Sequence, residues 1–184
     1  MNPAAPAHRR PLSVAIVPAV IAAVLGAAGG LLWGIAVPGV RGVVTNSGDV
    51  LVRQGQMDNF FIATAAFVGV SAVGGLLTGA LVFRRPNRTP KQILVVLAAA
   101  ALAVAVAALL GQAVVDARFA GPAGAGLDYT AAPTIRLMGA NLFAVANHPG
   151  GAIGTLASWV ALLVWPTAAA LWCAGAAVVA RRLP

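Results

Sequence analysis

Four apolar runs, residues 12–37, 60–83, 92–115 and 152–180, take up more than half of the 184-residue chain, and none holds Asp, Glu, Lys, Arg or His in its interior. Even the shortest makes a helix of about 36 Å, longer than the roughly 30 Å hydrocarbon core of a bilayer. Backbone placed in lipid finds no water, so it must satisfy its own hydrogen bonds, and each run is expected as a transmembrane helix. Composition points the same way. Hydrophobic residues make up 60% and charged residues 9% of the chain, with a mean hydropathy of +0.92. That balance excludes an ordinary soluble domain.

The expected fold is a single all-α membrane domain, a four-helix transmembrane bundle built as two antiparallel hairpins. The segments between the spans are 1–11, 38–59, 84–91, 116–151 and 181–184. Charge then fixes the orientation. Arg9, Arg10, Arg84, Arg85, Arg88, Lys91, Arg181 and Arg182 fall on one side with no acidic residue among them. Arg41, Arg53, Arg118 and Arg136 fall on the other, balanced by Asp49, Asp58, Asp116 and Asp128. One side therefore carries the whole net charge of +8 and the other sums to zero. Basic residues beside spans stay in the cytoplasm, so both termini are expected there, in a bacterial inner membrane. This distribution explains the basicity without a nucleic-acid partner. A secretory signal also opens on a basic lead, but its apolar core holds only about 7–15 residues, and 12–37 is longer.

The stretch Arg84–Lys91 is the centre of that topology. Its role as an anchor is expected to dominate, although such clusters also attract anionic lipid head groups at about 1 kcal/mol per charge. Within the spans, Gly26, Gly30 and Gly34 recur every four residues, as do Ser71, Gly75 and Gly79. Each row lies on one helix face and permits close approach of another helix, so spans one and two are expected to pair through these faces. The Ala-rich centre of span three, 98–108, suits close packing as well. Pro18 and Trp165-Pro166 are expected to kink their helices, and Trp33 to sit at the membrane boundary. Gln112 is expected to bond another helix.

The two outer loops are expected to form a small, partly β cap. Residues 40–45 and 50–54 are β-prone and flank the turn sequence Asn46-Ser47-Gly48-Asp49. Thr134-Ile135-Arg136-Leu137 alternates like a strand that would join this hairpin, and 142–146 suits a short interfacial helix. Asp58 is placed to cap the second span, and Asp116 to pair with Arg118. Any outer-loop function would draw on Asp58, Asp116, Arg136 and His148.

Chemistry is otherwise sparse. Ion-coupled transport and proton relays ordinarily need ionisable residues at membrane depth, and the runs have none. The chain has no Glu, and His8 and His148 fall on opposite sides of the membrane. No metal-ligand spacing, nucleophile–base set or phosphate-binding loop is present. Cys173 is the single cysteine, so no intrachain disulfide can form. No cofactor and no enzymatic activity are expected.

With Asp58-Asn59-Phe60-Phe61 opening the second span and Leu163-Val164-Trp165-Pro166 in the fourth, the chain resembles an uncharacterised family of actinobacterial four-span membrane proteins. The resemblance implies a bacterial inner-membrane location and assigns no activity. The leading expectation is a scaffold or accessory subunit of a cell-envelope membrane complex, whose partners are the lipid bilayer and other membrane proteins or further copies of itself. The alternatives are a small-molecule or lipid transporter or channel acting as an oligomer, and an outer-face sensor.

Overall fold

A computed structural model describes residues 12–56, 58–83, 89–119, 121, 126–133, 135 and 159–182. The described chain is mostly helical. Its elements in order are α1 (Leu12–Ala36), β1 (Val40–Val44), β2 (Val50–Val52), α2 (Asp58–Val82), α3 (Pro90–Arg118), β3 (Asp128–Ala131), a 3-10 turn (Val160–Leu163) and α4 (Val164–Arg182). Four stretches are long and apolar enough to cross a membrane: Ile16–Ala36, Asp58–Val82, Pro90–Arg118 and Val160–Val179. These features make it a multi-pass membrane protein.

The helix ends follow from local chemistry. Thr89 accepts a hydrogen bond from the Gln92 amide with its side chain, and Pro90 follows at the first helical position. There its missing N–H costs nothing, so α3 starts ahead of the apolar run. The acidic Asp58 stands in the first turn of α2, at the positive end of the helix dipole. α1 continues through Pro18. The expected kink at Trp165-Pro166 takes a different form. Pro166 falls in the first turn of α4, just after the 3-10 turn. At that place a proline removes no i→i−4 bond from the α-helix.

The close helix contacts are α1 on α3 and α2 on α4, rather than the expected glycine pairing of spans one and two. A Cβ added at Gly26 would strike the Ala103 carbonyl, one at Gly30 would lie 2.5 Å from the Ala107 oxygen, and one at Gly34 would lie 2.9 Å from the Gly111 oxygen. The offset is 77 residues at all three sites, so α1 and α3 run parallel with glycine facing small residue in register. The reason lies in α3, whose Ala103, Ala107 and Gly111 form a second row with the same four-residue spacing. Two such rows let backbones come into direct contact. On α2, a Cβ added at Gly75 would strike the Trp165 carbonyl and lie 2.7 Å from Ala168 Cβ, while one at Gly79 would lie 2.8 Å from Trp172 Cβ. That row is filled by α4, again in parallel.

The strands form one antiparallel sheet in the order β2-β1-β3. The β1–β2 hairpin lies where the sequence places it. Its loop closes through Thr45 N–H to Asp49 O at 2.9 Å and Asp49 N–H to Thr45 Oγ1 at 3.0 Å, with Gly48 at a φ of +89°. A third strand, Asp128–Ala131, pairs with β1 on its other side. It is led in by Gly126, at a φ of +79°, whose N–H bonds Val44 O at 2.8 Å. Thr134, Arg136, Leu137 and the stretch 142–146 lie outside the described residues.

Candidate functional site

Among the described residues, most of the polar groups buried between the helices belong to two tryptophans and a row of hydroxyls. Trp33 donates its indole N–H to Ala63 O at 2.7 Å, joining α1 to the α2 backbone. Its ring meets Phe67 edge-on, with centroids 5.6 Å apart, and lies against Gly111 of α3. A buried indole needs a partner for its N–H, and the protein supplies one here. Trp33 is 1% exposed, so its ring is packed in the core and not turned outward. Trp165 mirrors it from α4. Its N–H donates to Thr78 Oγ1 at 3.0 Å, and that hydroxyl donates on to Gly74 O at 2.8 Å. The Trp165 ring lies against both Gly74 of α2 and Gly29 of α1. A Cβ added at Gly74 would strike the ring, and one at Gly29 would press on it at 3.3 Å.

Ser71 is fully buried on the same face of α2, and its hydroxyl has no hydrogen-bond partner among the described residues. Gln92 is similar at the other end of the helices. Its amide nitrogen donates to Val82 O at 3.0 Å, while its buried Oε1 finds no donor among the described residues. Cys173 is a buried free thiol. These groups tie helices together and fix their rotation, but they bring no acid, base or charged group into the interior.

The sheet end is more polar. Arg53, following β2, reaches across β1 to Asp128 of β3, with one nitrogen donating to both carboxylate oxygens at 2.7 and 2.8 Å. Both side chains are more than half exposed, so the pair contributes only about 0–1 kcal/mol. Asn59 donates to Gly39 O at 2.9 Å and to Gln56 Oε1 at 3.0 Å, tying the first turn of α2 to the chain entering β1. Arg118 does not turn toward Asp116. It donates to the carbonyls of Gly34 and Val37 and lies over the Phe119 ring at 4.8 Å. The last carbonyls of α1 have no intrahelical donors, and a cation there also meets the negative helix end. Gln112 bonds Asp116 within its own helix at 2.9 Å and Pro133 O at 3.4 Å, in place of the expected neighbouring helix.

The structure brings Gly26, Gly30 and Gly34 together on the α1–α3 contact. It brings Ser71, Gly75 and Gly79 together on the face of α2 that meets α4. Lys91 is exposed in the first turn of α3, while Arg84, Arg85 and Arg88 lie outside the described residues. Asp58 and Asp116 are exposed at the starting end of α2 and the finishing end of α3, and no hydrogen bond or ion pair joins them. Arg136 and His148 lie outside the described residues. Among the described residues, no three His, Cys, Asp or Glu side chains gather to hold a metal. Sequence reasoning missed the bonding roles of Trp33, Thr78 and Trp165 and the Arg53–Asp128 pair. The row of Ala103, Ala107 and Gly111 was readable as a small face on α3, though not as the partner of α1.

No curated protein and no solved structure matches the chain. The family described as "Protein of unknown function (DUF2567)" matches over residues 22–183, and the chain belongs to that family.

Proposed function

We propose that the chain is a non-enzymatic scaffold or accessory subunit of a membrane complex in the bacterial cytoplasmic membrane, with its four helices bundled and both termini in the cytoplasm. The observation that carries this reading is how the interior is filled. Glycine rows admit neighbouring backbones, and the two indoles satisfy their N–H groups on α2, so the helices act as a rigid support and not as a lined passage. The absence of ionisable side chains inside the four runs supports it further, since coupled transport ordinarily depends on them. The even charge of the sheet-end loops and the +8 of the other segments support the orientation.

Affinity purification of the full chain in mild detergent tests the proposal. A stoichiometric membrane partner or a defined homo-oligomer is the expected product. A monodisperse single chain would overturn it, and solute flux in proteoliposomes of the chain alone would replace it with a transport function. A reporter fused after Pro184 is expected to be active only in its cytoplasmic form. Activity of the exported form would reverse the orientation.

A further inference from the structure

The two edges of the sheet differ. Arg53 N–H bonds Arg41 O at 3.1 Å and Thr45 N–H bonds Asp49 O at 2.9 Å, so the odd-numbered residues of β2 face β1. The alternation of an antiparallel ladder then turns the N–H and C=O groups of Val50 and Val52 away from β1. No backbone partner for them is found among the described residues. On the opposite edge, β3 is not left open in this way, because Gly121 N–H bonds Thr130 O at 3.1 Å. Leu51, between the two open residues, is 52% exposed.

We infer that this β2 edge pairs with β2 of a second copy of the chain, antiparallel about a two-fold axis passing beside Leu51. Of the two-fold antiparallel registers, that one pairs every outward group of Val50 and Val52 within the strand. Val50 stands opposite Val52 of the second copy, and Val52 opposite Val50, so the four outward groups on each strand all find partners. Leu51 meets Leu51 of the second copy on the exposed face. Asp49 comes opposite Arg53 of the second copy, and Arg53 opposite Asp49, so each Arg53, already bound to Asp128 of its own chain, gains a second carboxylate. A parallel pairing in register would instead set Asp49 beside Asp49 and Arg53 beside Arg53, and like charges directly opposite are destabilising. A short strand flanked by charges is also how proteins blunt an edge, but here the two charges are of opposite sign and placed symmetrically about Leu51. Such an interface is isologous and closes at two chains.

Cysteine cross-linking tests this directly. In a Cys173→Ala background, Leu51→Cys puts the two new thiols on a non-hydrogen-bonded pair, with Cα atoms about 4.5 Å apart. That lies inside the roughly 4.4–6.8 Å that disulfides accept. Mild oxidation in native membranes is expected to give a disulfide-linked dimer for Leu51→Cys. It is expected to give several-fold less for Leu127→Cys, which is equally exposed at 55% but lies outside β2. Adding Val52→Pro removes an outward N–H without touching the β1 ladder, and is expected to lower the dimer yield at residue 51. Equal cross-linking at 51 and 127 overturns the inference, as does a yield at 51 that a folded Val52→Pro variant leaves unchanged. A stoichiometric foreign partner bound to one copy of the chain would also overturn it, while leaving the scaffold reading intact.

Discussion

Replacing Gly30 by Ala asks how much of the fold depends on the contact between α1 and α3. The added Cβ would lie 2.5 Å from the Ala107 oxygen, 2.9 Å from its Cα and 3.1 Å from its carbonyl carbon. All three are backbone atoms, so no side chain can swing aside. Reaching the 3.4 Å of ordinary contact requires the helices to part by about 0.9 Å at this level. A gap of about 0.5–1 Å forfeits a quarter to a half of each dispersion contact it opens. With roughly 20 atom pairs along the row, each contributing about 0.1–0.2 kcal/mol, the loss is about 0.5–2 kcal/mol. Overpacking in well-filled cores costs about 1–3 kcal/mol, which agrees. Gly69→Ala supplies the control, because its Cβ would meet nothing within 4 Å. Both variants gain the same intrinsic preference of alanine for a helix. Unfolding by SDS titration from mild detergent, followed by tryptophan fluorescence, should place Gly30→Ala about 1–2 kcal/mol below Gly69→Ala. If the two variants unfold together, the glycine row is not what holds α1 on α3.

Trp165→Phe removes the bond to Thr78 while leaving that hydroxyl its bond to Gly74, and should cost about 0.6–1.7 kcal/mol in the same titration. Thr78→Val should cost more, about 1–3 kcal/mol, because it leaves a buried indole N–H without an acceptor. Ser71→Ala should be neutral or stabilising, since its hydroxyl has no partner to lose among the described residues; a loss above about 1 kcal/mol would show that something polar is bound there. Arg53→Gln should cost under about 1 kcal/mol and less still at high salt, since both charges of its pair are exposed. A large, salt-independent loss would mean that the pair is buried in an assembly.

The spans were legible because uninterrupted apolar length has few other meanings, and the hairpin because Asn46 to Asp49 suits a turn between β-prone segments. The glycine rows were legible as faces but not as pairs. A four-residue period says which side of a helix is small, and nothing about which neighbour will fill it. The matching row on α3 and the large Trp165 and Trp172 of α4 decide that, and both depend on three-dimensional register. The strand Asp128 to Ala131 was not singled out, because four residues are too few for alternation to mark them. It is set by Gly126, which turns the chain at a positive φ so that its amide meets Val44 O. Trp33 was read as a boundary residue because an indole is amphipathic, and Trp165 only as the neighbour of a kinking Pro166. Only the fold shows that their polar edges find partners inside, on Ala63 and Thr78.

The parallel pairing of α1 with α3 also bears on how the chain is made. The partner of Gly30 is Ala107, 77 residues downstream, so at about 5–20 residues per second the ribosome needs about 4–15 s to deliver it. During that interval the first two spans stand in the lipid with both glycine rows uncovered, because each row awaits a helix not yet synthesised. A nascent chain arrested after α2 is therefore an unfinished surface open to other membrane proteins, and chaperoning at the insertion site would act on that species.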